Sequence, residues 1–97
     1  MLKFHEIKQF FVNYKPIIQE KYQITELGIF GSYVRGEQTE KSDLDVLIDY
    51  SDVPSLLDIV DLEFYLSDRL GIQVDVVTKK GLKPTVKENI LAEVIYV

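Results

Sequence analysis

The chain has 97 residues, 46% of them hydrophobic, with no cysteine, one histidine and a formal net charge of −5 at pH 7. That length and apolar content predict one small folded domain over 1–97 and exclude a disordered polymer. The composition also excludes disulfides, thiolate metal sites and histidine clusters. With no 18-residue apolar run and no signal-type N-terminus, it predicts a cytoplasmic protein without a membrane span.

The predicted elements run as follows. Phe4 to Asn13 is a helix, with Phe4, Ile7, Phe10, Phe11 and Tyr14 at spacings of three and four. Pro16 either opens a second short helix through Tyr22 or kinks one long helix. Ile24 to Gly31 is a strand whose alternation is imperfect, as suits a strand covered on both faces or ending in a turn. Ser32 to Gly36 is a short helical turn, and Gly36 to Lys41 is a polar surface loop. Leu44 to Tyr50, with Val46-Leu47-Ile48 in succession, is the strongest strand signal. A helix begins after Asp52-Val53-Pro54 and runs to Leu70, with Gly71 as its C-terminal stop. Ile72 to Thr78 is a third strand. Lys79 to Lys83 is a basic turn, and Pro84 opens a last helix with Val86, Ile90, Leu91, Val94 and Ile95 as its apolar stripe. The layer rule turns this order into an α+β (mixed α/β) fold: a mixed sheet of three or more strands, with helices packed mainly on one face.

Two strand ends concentrate the chemistry. Gly31-Ser32 closes the first strand, and Asp43 and Asp45 open the second, two residues apart and therefore on one face. A third carboxylate, Asp75, interrupts the apolar run Val74-Asp75-Val76-Val77. A carboxylate on a covered sheet costs several kcal/mol unless it is paired or bound to a cation, and three on neighbouring strands repel one another. A hard divalent cation resolves both costs. Magnesium prefers oxygen ligands and a few carboxylates plus substrate phosphates, and two such ions serve an in-line displacement. Glycine lets the backbone approach a phosphate closely, the following amides and the Ser32 hydroxyl are donors, and Arg35 is a candidate charged fork. Alone, a Gly-Ser pair is usually a turn, an Asp-x-Asp a half-exposed strand and Arg35 a surface charge or a partner for Glu37. Their combination at strand ends points to a nucleoside triphosphate held on magnesium. The acidic balance also weighs against direct nucleic-acid binding. The basic cluster Lys79, Lys80, Lys83 and Lys87 is either a solvated face or a docking patch beside the site.

The segment from Gly31 to Asp45 fits the G-S-x(10)-D-x-D signature, and the chain resembles the nucleotidyltransferase superfamily that includes DNA polymerase beta. It is most similar to minimal nucleotidyltransferase (MNT) antitoxins of HEPN/MNT toxin–antitoxin pairs. Gly31, Ser32, Asp43 and Asp45 match residue for residue, Asp75 matches the third carboxylate, and Arg35-Gly36-Glu37 follows the usual wording. The resemblance implies AMP transfer from ATP-Mg to a tyrosine hydroxyl of a HEPN ribonuclease toxin. It assigns the metal to Asp43, Asp45 and Asp75, the phosphates to Gly31, Ser32 and Arg35, and leaves homo- or hetero-oligomers open. The alternatives are an antitoxin that acts by occlusion alone and a small-molecule nucleotidyltransferase.

Overall fold

The computed structural model describes residues 2–97. Helix α1 spans Phe4–Tyr22 without a break. Its first turn is closed by Glu6, whose carboxylate accepts the Lys3 N–H at 3.0 Å. Pro16 sits inside it on an exposed side, so the single-helix alternative holds. The bond Pro16 cannot donate leaves a carbonyl at Val12, which is itself exposed and open to water. Strand β1 is Ile24–Phe30, helix α2 is the four residues Ser32–Arg35, and strand β2 is Leu44–Tyr50. Helix α3, Leu56–Leu70, begins at a reciprocal cap: Ser55 Oγ accepts the Asp58 N–H at 3.1 Å and Asp58 accepts the Ser55 N–H at 3.0 Å. It stops at Gly71, as predicted, with φ +71°.

Strand β3 is Val74–Thr78, two residues shorter at its start than the sequence reading. A 3-10 turn follows at Lys79–Gly81, then helix α4 at Pro84–Glu93. Here the structure corrects the sequence: Val94 caps α4, and Ile95–Tyr96 form a short strand β4, so Val94 and Ile95 are not helical. Two β-branched residues in succession favour extension, and the free edge of β1 offers hydrogen bonds. Gly28 makes room for the crossing. A Cβ there would lie 2.6 Å from a Val94 methyl.

The sheet order is β3-β2-β1-β4. β1 is antiparallel to β2 and to β4, and β2 is parallel to β3. A bulge explains the irregular pattern of β1. Ile24 pairs with Tyr50 and Glu26 with Asp49, so one extra residue, Thr25, turns Ile24 to the same side as Leu27 and Ile29. On that side α1 (Ile7, Phe11, Ile18) and α3 (Leu62, Leu66) bury Leu44, Val46, Ile48, Val74 and Val76. The opposite face carries Asp45, Leu47 and Asp49 of β2 and Asp75 and Val77 of β3. Along the outer edge of β3, Ser67 Oγ accepts the Val74 N–H at 3.0 Å and Glu63 accepts the Val76 N–H at 2.8 Å. No helix among the described residues is long and apolar enough to cross a membrane.

Candidate active site

Strand register assembles the site. Phe30 pairs with Asp45, and Asp45 pairs with Asp75, which sets the end of β1 and both carboxylates in one row across three strands. Neighbouring strands lie about 4.8 Å apart, so the two carboxylate stems stand side by side on the face away from the helical core. The chain leaves β1 through Gly31 at φ +84°, a conformation that disfavours any side chain. A Cβ on Gly31 would land on Asp45 Oδ2. The glycine is therefore required twice, by its backbone angle and by the carboxylate against it. Its carbonyl accepts the N–H groups of Val34 at 3.1 Å and Arg35 at 3.2 Å, which closes the turn. The Ser32 and Tyr33 N–H groups have no acceptor among the described residues.

Asp43 precedes β2 and is exposed, but its charge reaches Asp45, Asp75 and the Tyr33 hydroxyl. Burial pushes the Asp45 carboxyl up to about 6, with further contributions from the charges of Asp75 and Asp43. Asp75 is also raised, first by burial and then by the charge of Asp43, a hydrogen bond with it, and the charge of Glu63. The three predicted carboxylates thus form one electrostatic group. Their oxygens do not close into a ligand cage: among the described residues no three acidic or histidine side chains are gathered tightly enough to hold a metal ion. The donor set, carboxylate oxygens alone beside free backbone amides, has the chemistry that suits magnesium.

Arg35 is paired with two carboxylates, one of them the Glu37 that the sequence offered as its partner. Its Nη1 donates to Glu93 Oε1 at 2.6 Å and its Nε lies 3.3 Å from Glu37. The other Glu93 oxygen accepts the Gly31 N–H at 2.8 Å. Glu93 was not legible in the sequence, because a contact spanning 62 residues leaves no local pattern. Two members of the basic cluster, Lys79 and Lys80, are paired away from the site carboxylates. Lys79 pairs with Glu26 at 2.9 Å and Lys80 with Asp49 at 3.1 Å, at the end of β3 opposite Asp75's neighbourhood. A surface concavity of about 420 Å³, lined by Ile17, Glu20 and Lys21 of α1, contains none of the site carboxylates.

A glycine turn at one strand end thus stands beside carboxylates on the next two strands. The nucleotidyltransferase domain profile matches residues 12–97. The chain is 44% identical over 97 residues to the protein adenylyltransferase MntA of Thermococcus cleftensis, covering 100% of this chain and 98% of that one. A solved minimal nucleotidyltransferase superposes with a TM-score of 0.84 at 30% identity, over 99% of this chain and 97% of that one. Toxin–antitoxin complexes share the fold at lower identity. One contains AMP-PNP (TM-score 0.75, 20% identity, 87% of this chain and 69% of that one). Another holds the MNT antitoxin with a tri-AMPylated HEPN toxin of Shewanella oneidensis (TM-score 0.66, 18% identity, 88% and 68%). The chain belongs to the nucleotidyltransferase domain family, in its branch of minimal, MntA-like protein adenylyltransferases.

Proposed function

We propose that this chain is a single-domain antitoxin acting in the cytoplasm, which transfers AMP from ATP to a tyrosine hydroxyl of a HEPN-family ribonuclease toxin and so silences it. The observation that carries the proposal is the register that sets Asp45 against the Gly31 turn on one side and Asp75 on the other. The nucleotide and the toxin partner are supported by what the MNT–HEPN relatives bind.

In the proposed reaction the tyrosine oxygen attacks the α-phosphorus, the bond from that phosphorus to the bridging oxygen breaks, and pyrophosphate leaves. Two magnesium ions, when bound, supply charge neutralisation for the triphosphate and for the attacking and leaving oxygens. Asp43 and Asp45 are the residues that would hold the ion carrying the triphosphate, and Asp45 and Asp75 the one beside the acceptor. Asp75 stands at the outer end of the row. A carboxylate oxygen there, turned towards the acceptor, would take the phenol proton as the new bond forms. The Ser32 hydroxyl and the free Ser32 and Tyr33 amides hold the departing phosphates, and the rate enhancement is positioning plus electrostatics.

The test is incubation with ATP, magnesium and the purified toxin, read by intact mass. The expected result is toxin heavier by one or more AMP units, inactive as a ribonuclease, and no transfer by the Asp43→Asn, Asp45→Asn double variant. A toxin silenced without mass change, equally well by the double variant, would replace catalysis by occlusion.

A further inference from the structure

Glu93 ends α4, two residues before β4 joins the edge of β1. Its side chain is 24% exposed, against 47% for Arg35. The carboxylate bridges the glycine turn. One oxygen takes the Gly31 N–H at 2.8 Å where the chain leaves β1, and the other takes Arg35 Nη1 at 2.6 Å, where α2 ends. Gly31 is also the residue whose α-carbon faces Asp45 Oδ2. One side chain therefore fixes both ends of the turn against the strand that carries Asp45. The bridge uses Gly31's own amide and pairs Arg35, so the donors of the turn left without a partner among the described residues are the Ser32 and Tyr33 amides and the Ser32 hydroxyl.

We propose that Glu93 is a positioning residue for nucleotide binding: its bridge from Gly31 N–H to Arg35 sets the turn so that Ser32 and Tyr33, and not Gly31 or Arg35, meet the phosphates. The inference rests on the nucleotidyltransferase reading above. It revises the sequence assignment of Arg35, which becomes an anchor of the turn. The geometry also defines the opposite case. Were the carboxylate a stand-in that phosphate must displace, removing it would free two anion-binding groups and tighten nucleotide binding.

The sign of one effect therefore decides. Binding of ATP with magnesium is measured by calorimetry on wild type, Glu93→Ala and Glu93→Gln, beside the single-turnover rate at saturating ATP and hydrogen exchange at the Gly31 amide. Glu93→Ala is expected to weaken ATP binding about tenfold, with the rate at saturation changed less than about threefold, as loss of a charged hydrogen-bond bridge outside the reacting atoms requires. Gly31 exchange should accelerate while exchange at Ile29 and Val46 in the buried sheet stays slow. Glu93→Gln keeps an oxygen for the Gly31 N–H and should bind ATP within about threefold of wild type. Unchanged or tighter binding by Glu93→Ala overturns the inference. So does binding by Glu93→Gln more than about threefold tighter than wild type, since that variant frees Arg35 while sparing the fold. Wild type that fails to bind ATP would overturn the proposed AMP transfer from ATP, and this inference with it.

Discussion

Asp45→Asn is expected to stabilise the metal-free protein at neutral pH and leave it unchanged in acid. In the folded chain the Asp45 carboxyl is raised from 3.8 to about 6, chiefly by burial and then by Asp75 and Asp43. A gap of about two pKa units is roughly 3 kcal/mol of preference for the protonated form. The sign follows from proton binding. Below pH ~4 both folded and unfolded chains keep the proton, and Asp45 costs nothing. As pH rises towards ~6 the unfolded chain releases its proton first, so stability falls; above that both forms are ionised and the whole cost remains. Asparagine removes the charge but still buries a polar amide, so a gain of about 2 kcal/mol is reasonable, or about 10 °C in Tm for a chain of this size. Thermal melts followed by circular dichroism, in EDTA across pH 4 to 8, read the gap directly. It should be near zero at the acid end and largest above neutrality. Added magnesium should then reverse the order, since it stabilises only a chain that binds it. A gap that does not vary with pH, or an Asn variant melting below wild type at pH 8 in EDTA, would refute the crowded-carboxylate account.

Asp75→Asn should slow AMP transfer far more than it weakens ATP binding, because it serves the acceptor oxygen; nucleotide affinity set against the single-turnover rate separates the two, and equal losses would make Asp75 a nucleotide holder only. Gly31→Ala places a methyl on Asp45 Oδ2 and a side chain at φ +84°. It should cost about 1–2 kcal/mol of stability from the backbone angle alone, and abolish ATP binding, as seen in urea unfolding and calorimetry. Unchanged affinity would remove this turn from the site. Glu63→Ala leaves the Val76 N–H without its acceptor and should destabilise by about 1 kcal/mol, with faster hydrogen exchange at Val76. Unaltered exchange there would show that Glu63 is not holding that edge.

What the sequence disclosed was what is periodic or local. β2 was legible from its apolar run, α3 from its stripe and its Gly71 stop, and the Gly31-Ser32 turn from residue type. Strand alternation and strand ends put Gly31, Asp45 and Asp75 on their elements, the family resemblance singled them out, and only the register of β1, β2 and β3 sets them in one row. The bulge at Thr25 was visible only as a blurred alternation, since its cause is the pairing with β2. β4 was read as helix because Val94 and Ile95 continue an apolar spacing, whereas the open edge of β1 decides their conformation. Arg35's pairing with Glu37, two residues on, was legible, but the pairs of Arg35 with Glu93, Lys79 with Glu26 and Lys80 with Asp49 were hidden: they span 58, 53 and 31 residues, and charge pairs at such separations have no signature in a string of letters.

The hydrogen bonds from β3 to Ser67 and Glu63 have a consequence for solubility. An open sheet ends in two rows of unpaired amides, and such a row is a template on which a second chain can grow a strand. On the β3 side, α3 has already taken the outward donors of Val74 and Val76. On the other side the border is β4, only two residues long. Side chains of α3 occupy two donors on one border and β4 covers β1 at Gly28 and Ile29 on the other, so both borders offer a stray strand fewer hydrogen bonds than a bare sheet edge would.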